Sequence, residues 1–347
     1  MLRKWAVVPV VLVSALVLAG CGGDSEPTAT PTQPTPEQGP LTVYSGRSEE
    51  LVAPVIEQFG TSSGVEVEVR YADSGQLAAQ ILEEGDRSPA DLFLAQDAGA
   101  LGAVARAGLA AAVPVDLLDL VPERYRAEDG SWVGVSGRAR VIVYDPREVA
   151  PDEVPTSVFD LANPRWAGEV GVAPANASFQ SFVTAMRVLE GEEATRAWLE
   201  GLVAGGVEVF EGNTPILDGV DNGVVSIGLI NHYYWYRKVA EAGAEAVPSR
   251  LQFLSGGDPG ALVNVAGAQV LAGSDQTEQA EELLAFLLSE QAQRYFAEET
   301  LEYPLVEGVE PAADLPALSS LEPPDIDLSD LESLDETITL LEEVGLL

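Results

Sequence analysis

One cysteine, one histidine and two lysines are all that the 347 residues hold of those types. A lone Cys21 excludes an intrachain disulfide and any site built from several thiolates. A lone His232 excludes imidazole clusters and leaves a nucleophile–histidine pair only one choice of base. With lysine confined to Lys4 and Lys238, the 56 acidic residues dominate and the formal net charge is −38. So acidic a surface repels phosphate backbones, which argues against nucleic acid as a partner. It favours cations, or simply keeps an exported chain soluble. No GxxxxGK[ST] loop is present, so the chain is not itself an ATPase of that type. With no localised catalytic constellation, an enzyme is not expected. Beyond residue 40 no apolar run is long enough to span a bilayer. Aromatic residues are scarce as well, at 7% of the chain.

The N-terminus carries MLRKWAVVPVVLVSALVLAGCGG: a basic start at Arg3 and Lys4, an apolar run, then small residues. This is the pattern of a secretory signal over residues 1–20. Leu18-Ala19-Gly20-Cys21 looks like a bacterial lipobox, which implies a lipidated N-terminus at Cys21 and an anchor on the outer face of a cytoplasmic membrane. The alternative is a plain cleaved signal with an incidental cysteine. Residues 21–40 are rich in proline and threonine without apolar period, as expected of a flexible tether.

From residue 41 the pattern changes. LTVYSG (41–46), VEVEVRY (65–71) and ADLFLA (90–95) read as strands, and the segments between and after them as helices. Strand–helix alternation predicts an α/β chain with doubly wound sheets. Ligands of such sheets sit beyond the carboxyl ends of the strands, here the loops Ser45–Ser48, Asp73–Gln76 and Gln96–Asp97, with Ser45, Gly46, Ser48, Gln96 and Asp97 as cleft candidates. WVGVSGRARVIVYDP (132–146) and ALVNVAGAQVLAG (261–273) are long enough to cross between two lobes. The expected lobes are 41–137 with 265–305, and 138–264. Residues 306–347 are acidic and are expected to pack on the second lobe or lie partly loose. TEQAEELLAFLLSEQAQRYFAEE (277–299) reads as one amphipathic helix.

Against the general scarcity of aromatics, NHYYWYR (231–237) gathers three tyrosines, a tryptophan and the single histidine. A buried strand precedes it, so Asn231 is placed as an N-cap with Tyr233 and Tyr234 in the first helical turn. A helix N-terminus favours phenolate modestly and a trivalent cation favours it far more. Phenolate is a hard donor, and ferric iron is the matching hard ion. Two other readings stay open: an aromatic packing patch, or a stacking wall of Tyr233, Tyr234 and Trp235 for an organic solute. A lone histidine such as His232 is more often a surface or capping residue than a ligand. APANASFQSF (173–182) is a second strand-to-helix junction, where backbone N–H groups with Asn176 and Ser178 can bind an anion or merely cap a helix.

In VYSGRSEE (43–50), ADLFLAQDAGALG (90–102), SGRARVIVYD (136–145), PANASFQSF (174–182) and EGNTPILDGVDNGVVSIGLINHYYWYR (211–237), the chain resembles the periplasmic ferric-ion-binding proteins of ABC importers. The resemblance covers nearly all of 41–310. It implies a two-lobed, transferrin-like periplasmic-binding-protein fold (type II) with two hinge strands. It places the family's iron-ligating tyrosines on Tyr233 and Tyr234. The anion site falls on Asn176, Ala177, Ser178 and Asn231, with Arg138 or Arg140 balancing the charge. Ser48 and Gln96 stand where some members carry a histidine and a glutamate ligand, so the first lobe departs from that pattern. The resemblance implies a monomeric substrate-binding lipoprotein that captures Fe(3+) with a synergistic anion (carbonate, phosphate or citrate). Its partners would be an ABC permease and ATPase in other chains, and its location extracellular or periplasmic.

Overall fold

The computed structural model describes residues 39–347 apart from residue 313. The signal segment, Cys21 and the tether to residue 38 lie outside the described residues. Residues 39–347 form one compact unit. Among the described residues no helix is long and apolar enough to cross a membrane.

The chain opens with strand β1 (Leu41–Ser45), helix α1 (Glu49–Ser63), strand β2 (Val67–Tyr71), helix α2 (Ser74–Glu84), strand β3 (Leu92–Ala95) and helix α3 (Ala98–Arg106). β1 pairs in parallel with both β2 and β3, as strand–helix alternation requires. Leu51, Val52, Val55, Ile56 and Phe59 form the buried stripe of α1. Pro54, an awkward residue for a helix, is accommodated inside α1 on an exposed position. A short α4 (Val115–Leu118) leads to the twelve-residue β4 (Val133–Tyr144), buried along its whole length.

The second half adds β5 (Val170–Val172), α5 (Ala177–Glu190), α6 (Glu192–Ala204) and a two-residue β6 (Glu208–Val209). These are followed by α7 (Asn213–Asp221), β7 (Ile227–Asn231), α8 (His232–Ala242) and β8 (Arg250–Gln252). β9 (Val263–Val270) then returns to the first half, followed by α9 (Thr277–Leu287) and α10 (Glu290–Tyr295). The segment read as one helix over 277–299 is broken, because Ser289 takes an extended conformation and accepts from Ala292 N at 3.3 Å, starting a new helix. A single π-turn (Phe296–Thr300), β10 (Tyr303–Pro304) and α11 (Leu334–Glu343) complete the chain.

The strand order is β2-β1-β3-β9-β4-β7-β5-β6, with β8 and β10 also pairing with β4. β4 is the strand that joins the two halves. Its residues Val133–Ala139 pair with β9, and Arg140–Tyr144 pair with β7. Arg138 and Arg140, two positions apart, flank this change of partner at Ala139–Arg140. The fold is therefore mixed α/β and two-lobed. The acidic C-terminal segment touches both halves. Ser329 accepts from Trp132 Nε1 at 3.2 Å and, through its carbonyl, from Arg106 at 3.0 Å. A few residues later, Thr337 meets Thr184 of α5 at 2.7 Å and Arg187 at 2.9 Å.

Candidate ferric and anion site

β7 delivers the chain to the junction, and α8 starts there. Asn231 takes the N-cap position with an extended backbone, but its side chain caps nothing. It is instead within 3.5 Å of Arg140 Nη1, through Oδ1. Its backbone N–H donates to Asn213 Oδ1 at 2.9 Å. Tyr233 and Tyr234 follow in the first turn with their rings stacked, centroids 4.3 Å apart. Tyr233 is buried and Tyr234 half-buried. Burial raises the Tyr233 phenol well above its ordinary pKa, and the neighbouring Tyr234 adds to the rise. The nearby Arg47 and Arg138 oppose it. A phenol held this way stays neutral until something strongly cationic arrives.

Around the phenols stand three buried guanidinium groups: Arg47, Arg138 and Arg140. Arg140 is held by Ser178 Oγ at 3.2 Å and by the Leu229 carbonyl at 3.2 Å, beside the rings of Phe179 and Phe182. Burial lowers its pKa to about 9, partly offset by Tyr234. Arg138 donates to the Gln96 carbonyl, while its Nε and Nη1 are buried without a partner, as is Arg140 Nε. Burial also lowers the Arg138 pKa, and Arg47 lowers it further. Buried donors without acceptors are costly, and here they converge. Arg138, Arg140, Ser178, Asn231 and Asn264 line a cavity of about 10 Å³ between the halves.

The candidate anion turn is built as a network. Asn176 is the N-cap of α5 and accepts from Ser178 N at 3.1 Å and Ser178 Oγ at 2.6 Å. Ala177 is the first residue of α5. Asn213 Nδ2 donates to Asn176 Oδ1 at 3.1 Å and to Ser178 Oγ at 3.3 Å. One asparagine thus links this turn to the start of α8.

The first-lobe candidates behave differently. Ser48 is exposed at the start of α1 and makes no capping bond. Ser45 Oγ bonds the Arg47 carbonyl at 3.2 Å, and Gly46 N donates to the Leu94 carbonyl at 2.8 Å. Both are used in shaping the turn. Gln96 contributes backbone, with N–H to Ser74 Oγ at 2.8 Å and the carbonyl to Arg138. Asp97 caps α3 by accepting from Ala100 N at 3.3 Å. Among the described residues no three His, Cys, Asp or Glu side chains gather as a metal site.

His232 is not a surface or capping residue. It is fully buried, its Nδ1 accepts from Ala139 N at 3.1 Å, and its Nε2 reaches the Leu301 carbonyl at 3.0 Å. Burial lowers its pKa to about 4, so it stays neutral. Trp235 packs against the Ile216–Val220–Ile230 cluster, its Nε1 donating to the Ser249 carbonyl at 3.0 Å.

Sequence reading missed Arg47, Glu302, Asn213 and Asn264. Arg47 Nη2 pairs with Glu302 at 2.5 Å, and both side chains are buried. Burial alone would raise the Glu302 pKa, but Arg47 and Arg138 outweigh it and hold the carboxylate low. Arg47 was legible only as a member of the loop after β1, and Asn213 as the polar residue that opens a helix in EGNTP. Asn264 is found by register, since it lies opposite Arg138 in the β4–β9 ladder. Nothing local in the sequence points to Glu302.

Comparison with known proteins follows the same lines. Residues 87–332 match the family described as bacterial extracellular solute-binding protein. The major ferric iron-binding protein of Neisseria meningitidis is 35% identical over 320 residues, 91% of this chain and 96% of that protein. Iron-bound HitA from Pseudomonas aeruginosa superposes with a TM-score of 0.82 at 36% identity, over 88% of this chain and 99% of that one. A Trichodesmium protein (IdiA, FutA) in complex with iron and citrate gives 0.76 at 28% identity over 88% and 99%. The chain therefore belongs to the bacterial extracellular solute-binding protein family.

Proposed function

We propose that the protein captures ferric iron together with a synergistic anion outside the cytoplasmic membrane and presents it to an ABC permease. The carrying observation is the stacked Tyr233–Tyr234 pair at the start of α8, set beside buried arginines whose donors lack acceptors. Tyr233 and Tyr234 supply two phenolates to the ion. The anion lies across Arg138, Arg140, Asn176, Ala177, Ser178 and Asn231, joined by Asn213 and Asn264. Arg47, Arg138 and Arg140 against the carboxyls of Glu302 and Asp97 leave an excess of positive charge around the phenols. That excess suits an anion arriving with the metal: carbonate, phosphate or a carboxylate such as citrate.

With Ser48 and Gln96 unsuited as ferric ligands, the first lobe closes by charge and backbone contact rather than by ligation. The lobes are 41–137 with 265–305, and 138–264, turning about the partner change in β4. Cys21 carries the lipid anchor and residues 22–40 give reach. Closure presents one rigid surface to the permease, whose ATPase resides in another chain. The protein acts as a monomer and catalyses no reaction.

The test is optical. Metal-free protein titrated with ferric salt and carbonate, phosphate or citrate develops a visible phenolate-to-iron band. Tyr233→Phe and Tyr234→Phe each weaken it, and the double substitution abolishes it. A colorless protein that binds an organic solute tightly would replace this reading with that of a solute receptor of the same fold.

A further inference from the structure

Leu301 is the one non-glycine with positive φ (58°) among the described residues. Left-handed backbone crowds a leucine's Cβ. Strain of this kind persists where surrounding contacts enforce it. Here the contacts are specific. Leu301 ends the π-turn, and the Glu302 N–H closes back on the Phe296 carbonyl at 3.0 Å. The turn aims the Leu301 carbonyl at His232 Nε2, 3.0 Å away. Glu302 Oε1 then takes Arg47 at 2.5 Å, and its Oε2 takes Ser136 Oγ at 2.6 Å. Tyr303 lays its ring against His232 at 4.8 Å and pairs by backbone with Gly137 of β4. His232 completes the circuit by accepting from Ala139 N on the same strand.

Three consecutive residues therefore grip three elements: the start of α8, the loop after β1, and β4. His232 directly precedes Tyr233, and Arg47 directly precedes Ser48. We propose that residues 301–303 and His232 form a clamp across the junction of the lobes, with His232 a positioning residue that fixes Tyr233 and Tyr234 relative to Arg47. The imidazole serves because it offers an acceptor on one side and a donor on the other, in one rigid ring. The clamp explains why the chain keeps a strained leucine and buries its one histidine.

The optical part of the test rests on the ferric reading; the exchange part does not. His232→Phe keeps the ring against Tyr303 and loses both hydrogen bonds. His232→Gln keeps a donor for the Leu301 carbonyl, whereas His232→Asn keeps an acceptor for Ala139 only. In metal-free protein, amide hydrogen exchange over residues 236–238 should accelerate at least tenfold in the Phe and Asn variants and stay near wild type in the Gln variant. The ferric band should shift and ferric affinity fall about tenfold in the same order. Glu302→Gln, which retains hydrogen bonding but not charge, should leave the band in place while iron release quickens several-fold. Equal behaviour of the Gln and Asn variants, or wild-type exchange in all three, overturns the clamp. Should the histidine variants fail to fold, an unchanged release rate in Glu302→Gln overturns it alone. If wild-type protein shows no ferric band, the iron reading fails, and the exchange data still decide the clamp.

Discussion

Ferric uptake should expel two protons per ion, and its affinity should therefore fall about a hundredfold for each pH unit of acidification. Free phenol ionises near pH ~10, and burial lifts Tyr233 above that. A ligating phenolate is thus made at the moment of binding, and the proton must leave. The sign is fixed: protons compete with the metal, so low pH releases iron. Among the other charged groups in the cleft, burial raises the Asp97 pKa against the pull of Arg138, and Asp97→Asn removes its contribution to the slope. His232 titrates near 4 and stays neutral, Arg140 near 9 and stays charged, and Glu302 is held below its ordinary value by Arg47 and Arg138. Two protons at about 1.36 kcal/mol each per pH unit amount to about 2.7 kcal/mol of binding free energy between pH 7 and 6. Proton release into weakly buffered solution, followed with an indicator as iron is added with a fully ionised anion, counts the protons directly. Competition against a chelator of known proton dependence gives the slope. Tyr234→Phe should reduce the count from two to one. A count of zero, or a slope unaltered in Tyr234→Phe, would refute ligation by the two phenolates.

Other expectations follow from the same geometry. Glu302→Ala leaves Arg47 buried and unpaired, and should cost about 3–5 kcal/mol of stability, read as a lower urea midpoint. Arg140→Ala should weaken ferric capture by an order of magnitude when carbonate or phosphate is the anion, with the visible band retained, because the guanidinium neighbours Ser178 and Asn231; titration in each anion checks this. Gly102→Val drives a Cβ to 2.7 Å from the Ser329 carbonyl. It should cost about 1–3 kcal/mol and expose the C-terminal segment to proteolysis.

Much of this protein is written locally. The periodicity of 41–108 determined parallel strands alternating with helices, because each apolar stripe has one face to bury. The strand-to-helix junctions at Asn176 and Asn231 were legible because the polar residue sits where an apolar strand run ends and a helical pattern starts. Tyr233 and Tyr234 stood out because phenols are rare in the rest of the chain and adjacent there. The break in the helix at Ser289 was not legible, since the apolar period runs through it without interruption.

What only the tertiary structure decided is long-range. Arg47 and Glu302 are 255 residues apart in the chain and 2.5 Å apart in space, and no local pattern marks either as a partner. His232 became a buried bridge, because β4 and the turn at Leu301 happen to offer it a donor and an acceptor from opposite sides. The two arginines of SGRAR are distinguishable only once β4 changes partner between them, giving Arg138 to the Gln96 carbonyl and Arg140 to Ser178. Sequence dictates elements through neighbouring side chains, whereas the charge around the phenols is assembled from segments that meet only when the sheet closes.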